Sequence, residues 1–503
     1  MYFLCLTFVT IISLSTSYKY LVYSPFLGYS HVNLLGNLAD VLTEGGHDVT
    51  VLMPEVDEEQ LNHTGTELTK KIIRVRGDFR TVEMIKESKK SEVFNMWTIS
   101  ASPSIIWQSL REEKFDVGIA EAYYVCGLAL FELLNIKTTI AMLSNIHLES
   151  AIYAIGEPAF PSYVPGLMST AGDQMTFSQR MQNALSLIFS RMVSSWVNEN
   201  EIDMIRQKCG SFKDHYELIA QTSFIFTRSN PYLDFPRPTL HKTVMIGGFA
   251  TNRKLQKKHL LTEEFTDFLD KHNHTVLLSF GTVVKSKDMP ESYKKSILAV
   301  ISSMPEVGFI WKYEDSDLAS ARTLSNVLLI PWVPQIALLE DKRLSVFVTH
   351  GGIGSCNELA YMGKPAIVIP IVGDQMRNAQ MMARHGGALV LEKADLDEAD
   401  KLRKALKTII SDPRYAKNAL RLSQMLRNQP IAPEELLLRH AEFAAKFGRI
   451  PNLDSYGRHL STMQYFLLDI AALAAVVIVI ILTTFIILIR KCCFSPHQKA
   501  KSD

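Results

Sequence analysis

Residues 347–358 read Phe-Val-Thr-His-Gly-Gly-Ile-Gly-Ser-Cys-Asn-Glu, an apolar run that ends in glycines just before a helical pattern resumes. Glycines let a backbone approach a ligand closely, and the N–H groups at a helix start, with the helix dipole behind them, favour an anion such as phosphate. His350, at the strand end, can donate to a phosphate oxygen, and Glu358, an acceptor when ionised, suits a pair of sugar hydroxyls. Such a turn alone is as often a plain tight connection. Its surroundings add weight: Trp332-Val333-Pro334-Gln335 precedes it, while Pro365 to Pro370 and then Gly373-Asp374-Gln375-Met376-Arg377-Asn378 follow. A second candidate stands far away in the chain. His31, after Tyr29-Ser30, titrates near neutral pH and so can act as a general base, although a lone histidine there is more often a helix-start residue.

These residues need a frame. A β-rich run at 18–23, helical periodicity over 31–43 ending at Gly45-Gly46, and a second strand at 48–52 make a βαβ unit. Strands at 117–120 and 138–141 flank an apolar helix at 126–134, and 175–208 reads as a long helical insertion. The composition shifts at Gly247-Gly248, and the polar stretch 251–258 reads as a linker. A second series follows, with strands at 275–280, 308–313, 327–330, 345–349, 366–370 and 388–391. Short β-rich runs separated by helices imply parallel sheets covered on both faces. Two such domains facing each other make a cleft, and open α/β sheets hold ligands beyond the carboxyl ends of their strands.

The 503 residues carry a net charge of +1, which leaves no nucleic-acid footprint. An apolar run over 2–14, followed by Ser15 and Ser17, reads as a signal peptide occupying 1–17. Residues 466–489 hold the uncharged run 470–489, long enough for one transmembrane helix, and Arg490, Lys491, Lys499 and Lys501 follow it. The positive-inside rule then puts the tail, 490–503, in the cytosol and the bulk of the chain in a lumen. Asn62-His63-Thr64 and Asn273-His274-Thr275 are glycosylation sequons that such a location would expose. Cys126, Cys209 and Cys356 are too few and too scattered for a disulfide framework or a zinc site, and read as mostly buried thiols. No carboxylate cluster of the kind that holds a divalent metal is evident.

With the motifs from Trp332 to Asn378 in place, the chain resembles the UDP-glycosyltransferase family over nearly its whole length. Shorter matches run through Ser30-His31, Phe115-Asp116-Val117 and Ser229-Asn230-Pro231-Tyr232-Leu233-Asp234-Phe235-Pro236-Arg237-Pro238. The resemblance implies a GT-B architecture: an acceptor-binding domain at 18–250, a UDP-sugar-binding domain at 251–450 and a C-terminal membrane helix. It implies that Trp332 stacks on uracil with Gln335 beside it, and that Glu358 takes the ribose. His350 with Gly352, Gly354 and Ser355 would hold the pyrophosphate. Asp374 and Gln375 would bind the donor sugar, supported by Asn378, and Ser279-Phe280-Gly281-Thr282 stands at the donor loop. His31 becomes the base that deprotonates the acceptor hydroxyl. Many members orient this histidine with an aspartate, and here Glu121 occupies that place. Its extra methylene requires the geometry to adjust, and Asp116 is the near alternative.

The implied reaction is inverting transfer of a hexuronic acid or hexose from a UDP-sugar, a co-substrate rather than a cofactor, to a hydroxyl of a small lipophilic acceptor. A retaining mechanism would want a second carboxylate as nucleophile, and none can be placed. Arg377 could pair with a glucuronate carboxylate, or be an exposed helix arginine. UDP-glucose or a lipid acceptor fits the same fold, and a donor-binding partner without turnover is the reading of another class. The terminal Lys499-Ala500-Lys501-Ser502-Asp503 is like the dilysine signal of endoplasmic-reticulum residents. The acceptor pocket, expected near 145–200, follows no chemical rule, and homo- or hetero-oligomers remain open.

Overall fold

The computed structural model describes residues 17–25, 28–55, 63–76, 105–255, 259–282, 284–315, 318, 321 and 323–493. All but the end of the expected signal peptide, Asn62, and the tail beyond 493 lie outside the described residues.

Seven strands form the first sheet: β1 (Lys19–Tyr23), β2 (Asp48–Glu55), β3 (Lys71–Arg76), β4 (Val117–Glu121), β5 (Thr138–Leu143), β6 (Phe224–Thr227) and β7 (Thr243–Met245). Their order is β3-β2-β1-β4-β5-β6-β7, and every pair is parallel. The second sheet has β8 (His274–Ser279), β9 (Val307–Lys312), β10 (Val327–Ile330), β11 (Leu344–Thr349), β12 (Ala366–Val368) and β13 (Ala388–Val390), in the order β10-β9-β8-β11-β12-β13. Central strands such as Val117–Glu121 and Val307–Lys312 are buried along their whole length, as parallel strands covered on both faces require. In each sheet the order reverses once, between β1 and β4 and between β8 and β11. Loops diverge at such points, leaving a crevice at the strand ends.

Seven helices matter below: α1 (Tyr29–Glu44), α2 (Glu149–Ile155), α3 (Phe177–Cys209), α4 (Ile353–Met362), α5 (Gln375–Arg384), α6 (Pro433–Phe447) and α7 (Leu468–Cys493). Among the described residues, α7 is the one helix long and apolar enough to cross a membrane, with mean hydropathy 3.2 over its best window. Its protein-facing burial is nil.

The two sheets are tied in three ways. Asp234 and Arg377 form an ion pair from which water is excluded, and Arg377 also donates to the Pro165 carbonyl at 3.1 Å. The stretch expected as a polar linker is in part a helix, Phe249–Leu255, whose Arg253 pairs with the buried Asp40 of α1 at 3.0 Å. Asp40 also accepts three backbone N–H groups, from Glu67, Leu68 and Thr69, so α1 is pinned through a buried carboxylate. Finally, α6 crosses back to the first sheet, where Leu437, Ala441 and Ala444 are fully buried with Tyr20, Val22 and Phe226. Residues 433–447 thus pack with the first sheet although they follow the second in sequence.

Candidate active site

His31 lies in the first turn of α1, directly behind β1, and Glu121 is the last residue of the adjacent strand β4. The imidazole Nδ1 meets Glu121 Oε2 at 2.7 Å. The other carboxylate oxygen accepts from the Ser144 hydroxyl, one residue past the end of β5. Three neighbouring strand ends therefore build one hydrogen-bonded chain, Ser144–Glu121–His31, at the reversal point of the first sheet. Burial pushes the His31 pKa down, but the charge of Glu121 and its hydrogen bond outweigh this, and the net shift is upward. Burial likewise raises Glu121, and the opposing pull of His31 and the Ser144 bond leaves it below the ordinary glutamate value. Glu121 is ionised at neutral pH and can only accept, so the imidazole proton sits on Nδ1 and the Nε2 lone pair is left to receive another proton. Asp116 is at the opposite end of β4, exposed, where it accepts from the Lys19 backbone N–H at 2.8 Å; it takes no part in this chain.

Across the crevice the second sheet reverses between β8 and β11. Thr349 ends β11, and Gly351 takes a φ of +84°, turning the chain so that Gly352 caps α4. Space at this turn is fully used. A methyl group on Gly352 would sit 2.7 Å from His350 Nε2, and one on Gly281, in the loop after β8, 2.7 Å from His350 Cε1. Ser279 is buried at the end of β8, with Gly281 and Thr282 just beyond it. Burial, with Lys312 nearby, lowers the His350 pKa to about 4, so His350 offers a neutral N–H rather than a positive charge. The cations of this crevice come from elsewhere. Lys312 Nζ donates to the Gly281 carbonyl at 2.8 Å and lies 5.5 Å from the centre of the Trp332 ring.

Trp332 is half exposed and meets Tyr29, from the start of α1, edge to face with ring centres 5.6 Å apart. Gln335 donates to Glu358 at 2.6 Å and also reaches Ser355 Oγ at 3.4 Å, while Lys254 lies 3.6 Å from the other Glu358 oxygen. On α5, Asn378 donates to Asp374 at 2.8 Å and to the Gly351 carbonyl at 3.0 Å, fastening the aspartate to the glycine turn. Burial raises the Asp374 pKa despite Asn378 and Arg228. Gln375 uses its amide oxygen to accept from the backbone of Ile371 and Val372, which leaves only its NH2 group for a ligand. Arg377 is neither of the two things expected of it. It is wholly buried against Asp234 and Pro165, so it is not an exposed arginine and is not available to a sugar carboxylate.

Arg228 is the residue that motif reading passes over. It follows β6, and its Nη2 would be 3.0 Å from a methyl group on Gly354, in the first turn of α4. Burial lowers its pKa against the attraction of Glu358, Asp374 and Glu121, carboxylates drawn from both sides of the crevice. It stands immediately before Ser229-Asn230-Pro231, but a single arginine at a strand end follows no spacing rule.

Near the loop after Ser144, a small pocket open to solvent is lined by His147, Glu149, Phe160, Pro165, Leu187 and Arg237. The thiols differ from expectation: Cys356 is buried, Cys126 half-buried, and Cys209 exposed at the last turn of α3. Asn273 is exposed, just before β8.

Two facing parallel sheets, each with its crevice at a reversal point, define a GT-B glycosyltransferase. Solved structures agree on the fold: the glycotransferase of kitacinnamycin superposes with a TM-score of 0.57 at 18% identity, covering 86% of this chain and 99% of its own. LpCGTa in complex with UDP gives 0.54 at 14% identity, covering 85% and 99%. Residues 57–501 match the family described as UDP-glucoronosyl and UDP-glucosyl transferase, and the chain belongs to that family. It is 28% identical over 480 residues to ugt-50 of Caenorhabditis elegans, a chain bearing the name of a UDP-glucuronosyltransferase, covering 90% of each. It is also 28% identical to the 2-hydroxyacylsphingosine 1-beta-galactosyltransferase of Rattus norvegicus, covering 92% of this chain and 86% of that one. UDP-glucosyltransferase 2 of Dactylopius coccus is 26% identical, covering 92% and 91%. The protein is a UDP-glycosyltransferase.

Proposed function

We propose that this enzyme moves a hexuronic acid or a hexose, glucuronate first among them, from its UDP-sugar to a hydroxyl of a small lipophilic acceptor, with inversion. The observation that carries the reading is the Ser144–Glu121–His31 chain, set across the crevice from the glycine turn of α4. His31 Nε2 takes the hydroxyl proton as the acceptor oxygen bonds to the anomeric carbon, and the bond from that carbon to the β-phosphate oxygen breaks on the opposite face. One displacement inverts the centre. Glu121 holds the imidazole and stabilises the imidazolium that forms. The charge on departing UDP is met by Arg228, by the backbone N–H groups of α4 and by the His350 N–H. Trp332 stacks on uracil with Gln335 at its edge, Glu358 takes the ribose, and Asp374 with the Gln375 amide holds the sugar hydroxyls.

Glutamate in place of the usual aspartate favours a binding protein without turnover only if it fails to reach the histidine. At 2.7 Å, with Ser144 fixing its other oxygen, it reaches. Arg228 is the cation best placed for the diphosphate, a group that UDP-glucuronate shares with the UDP-sugars of glucose and galactose named for two relatives. The helix α7 is read as a single-pass anchor with the catalytic sheets in the lumen of the endoplasmic reticulum, where Asn273 would be open to glycosylation.

Membranes carrying the full chain, incubated with UDP-glucuronate and UDP-glucose beside a panel of phenols, test the reading. Transfer of glucuronate to at least one phenol is expected. Turnover with UDP-glucose alone overturns the donor assignment, and turnover with neither overturns the enzymatic one.

A further inference from the structure

Two adjacent cysteines end the helix α7, far from the thiols of the two sheets. The helix runs without a break from Leu468 to Cys493, and none of its residues is buried. Residues 470–489 carry no charge. At about 1.5 Å per residue they span about 30 Å, the thickness of the hydrocarbon core of a bilayer. Arg490 and Lys491 close that span, and Cys492 and Cys493 follow roughly 5 Å further along the axis, in the headgroup layer. Both thiols are free and exposed. Neighbouring side chains on a helix point about 100° apart, so the pair presents sulfur over a wide sector of the helix surface.

Their position narrows what these thiols can do. Adjacent Cα atoms are about 3.8 Å apart, short of the roughly 4.4–6.8 Å that a disulfide spans, so a bond between the two is disfavoured. The cytosol keeps thiols reduced, which disfavours a disulfide to another chain as well. Among the described residues they join no cluster able to hold a metal ion. Acylation suits the place: a chain attached by a thioester at the rim of the hydrocarbon turns straight back into it. Arg490 and Lys491, next in the helix, attract the phosphates of an acyl-coenzyme A. The remaining thiols lack this setting. Cys356 is buried, which pushes its pKa up, Cys126 is half-buried, and Cys209, though exposed, belongs to the part read as lumenal. We propose that Cys492 and Cys493 are S-acylated. Each thiol attacks the carbonyl carbon of a long-chain acyl-coenzyme A; the new C–S bond forms, the old one breaks, and coenzyme A leaves with the proton. No oxidant or reductant is needed. The two chains fasten the end of α7 to the cytosolic leaflet. This rests on α7 being the anchor, with 490–503 in the cytosol.

The test uses sealed membranes from eukaryotic cells expressing the full chain. Free thiols are blocked with N-ethylmaleimide, thioesters are cleaved with neutral hydroxylamine, and the thiols so released are tagged with a membrane-impermeant polyethylene-glycol maleimide that shifts the band on a gel. Two hydroxylamine-dependent steps are expected in the wild type, one in Cys492→Ser or Cys493→Ser, and none in the double variant, whose unfolding midpoint should be that of the wild type. No step in a chain that stays with the membranes through an alkaline carbonate wash overturns the proposal and leaves the anchor standing. Steps that survive in the double variant place the thioesters elsewhere and overturn it too. A shifted band that dithiothreitol abolishes and hydroxylamine does not create overturns it in favour of a disulfide between copies. Extraction by carbonate, or tagging only after detergent opens the membranes, overturns the anchor reading or its orientation, and the proposal with it.

Discussion

Replacing Glu121 with glutamine removes one charge and keeps the size of the side chain. In the structure that charge stands 2.7 Å from His31 Nδ1, inside a buried chain completed by Ser144. Glutamine can present its NH2 group to Nδ1 as readily as its oxygen, which puts the imidazole proton on Nε2 and removes the basic lone pair. Loss of an orienting carboxylate with its tautomer is worth up to about 10⁴ in kcat in the serine-protease triad, and a positioned general base contributes about 10²–10⁴. Glu121→Gln is therefore expected to lower kcat by about 10²–10⁴, with the donor Kd changed less than about threefold. The sign of the pH effect is fixed as well. His31 must be neutral to act as base, and its pKa is raised by Glu121, so activity falls as pH drops through that raised value. Without the carboxylate charge the remaining activity should hold to lower pH. Glu121→Asp, which keeps the charge but gives up reach toward Ser144, should lose about tenfold and keep the acid limb of the wild type. Rates are read from transfer at saturating donor across pH 5 to 9, each a chosen assay condition on either side of an ordinary histidine pKa of about 6.5. A Glu121→Gln enzyme within twofold of wild type, with an unmoved acid limb, refutes the reasoning.

Arg228→Ala should weaken UDP by about 1.5–3 kcal/mol, the loss of a charge-assisted contact, with Arg228→Lys recovering part of it in the same calorimetric titration. Asp234→Ala strands the wholly buried Arg377 and is expected to cost about 3–5 kcal/mol in denaturant unfolding, while Asp234→Leu with Arg377→Met should recover most of that loss. Gly352→Ala drives a methyl group against the His350 ring at 2.7 Å in a fully packed turn, so UDP affinity should fall and unfolding should lose about 1–3 kcal/mol, as read by titration and by unfolding together.

Much of the frame was legible because parallel strands buried on both faces are plain apolar runs. The expected 327–330 coincides with β10, and the other strands of the second series differ only at their ends. Three strands were not legible. Lys71–Arg76 mixes three basic with three aliphatic residues at a sheet edge, and Phe224–Thr227 and Thr243–Met245 are too short for periodicity to show. Helix Phe249–Leu255 was hidden for a different reason: Arg253 and Lys254 make it look solvated, whereas Arg253 is buried on Asp40. In the site, the glycine turn and its partners could be read from residue type, because glycine, histidine and carboxylate each carry a local rule. The reach of Glu121 could not, since it depends on Ser144 at the end of another strand. Arg228 and the interdomain role of Arg377 depend on what the second sheet places opposite them, which no local pattern encodes.

The central claim is transfer by His31 from a donor held by the second sheet. It is tested most directly by one paired measurement on the His31→Ala chain: UDP binding by calorimetry and sugar transfer by product formation, both beside wild type. Retained UDP binding, within about threefold, together with transfer reduced by about 10²–10⁴ is the predicted result. Transfer at the wild-type rate would contradict the account.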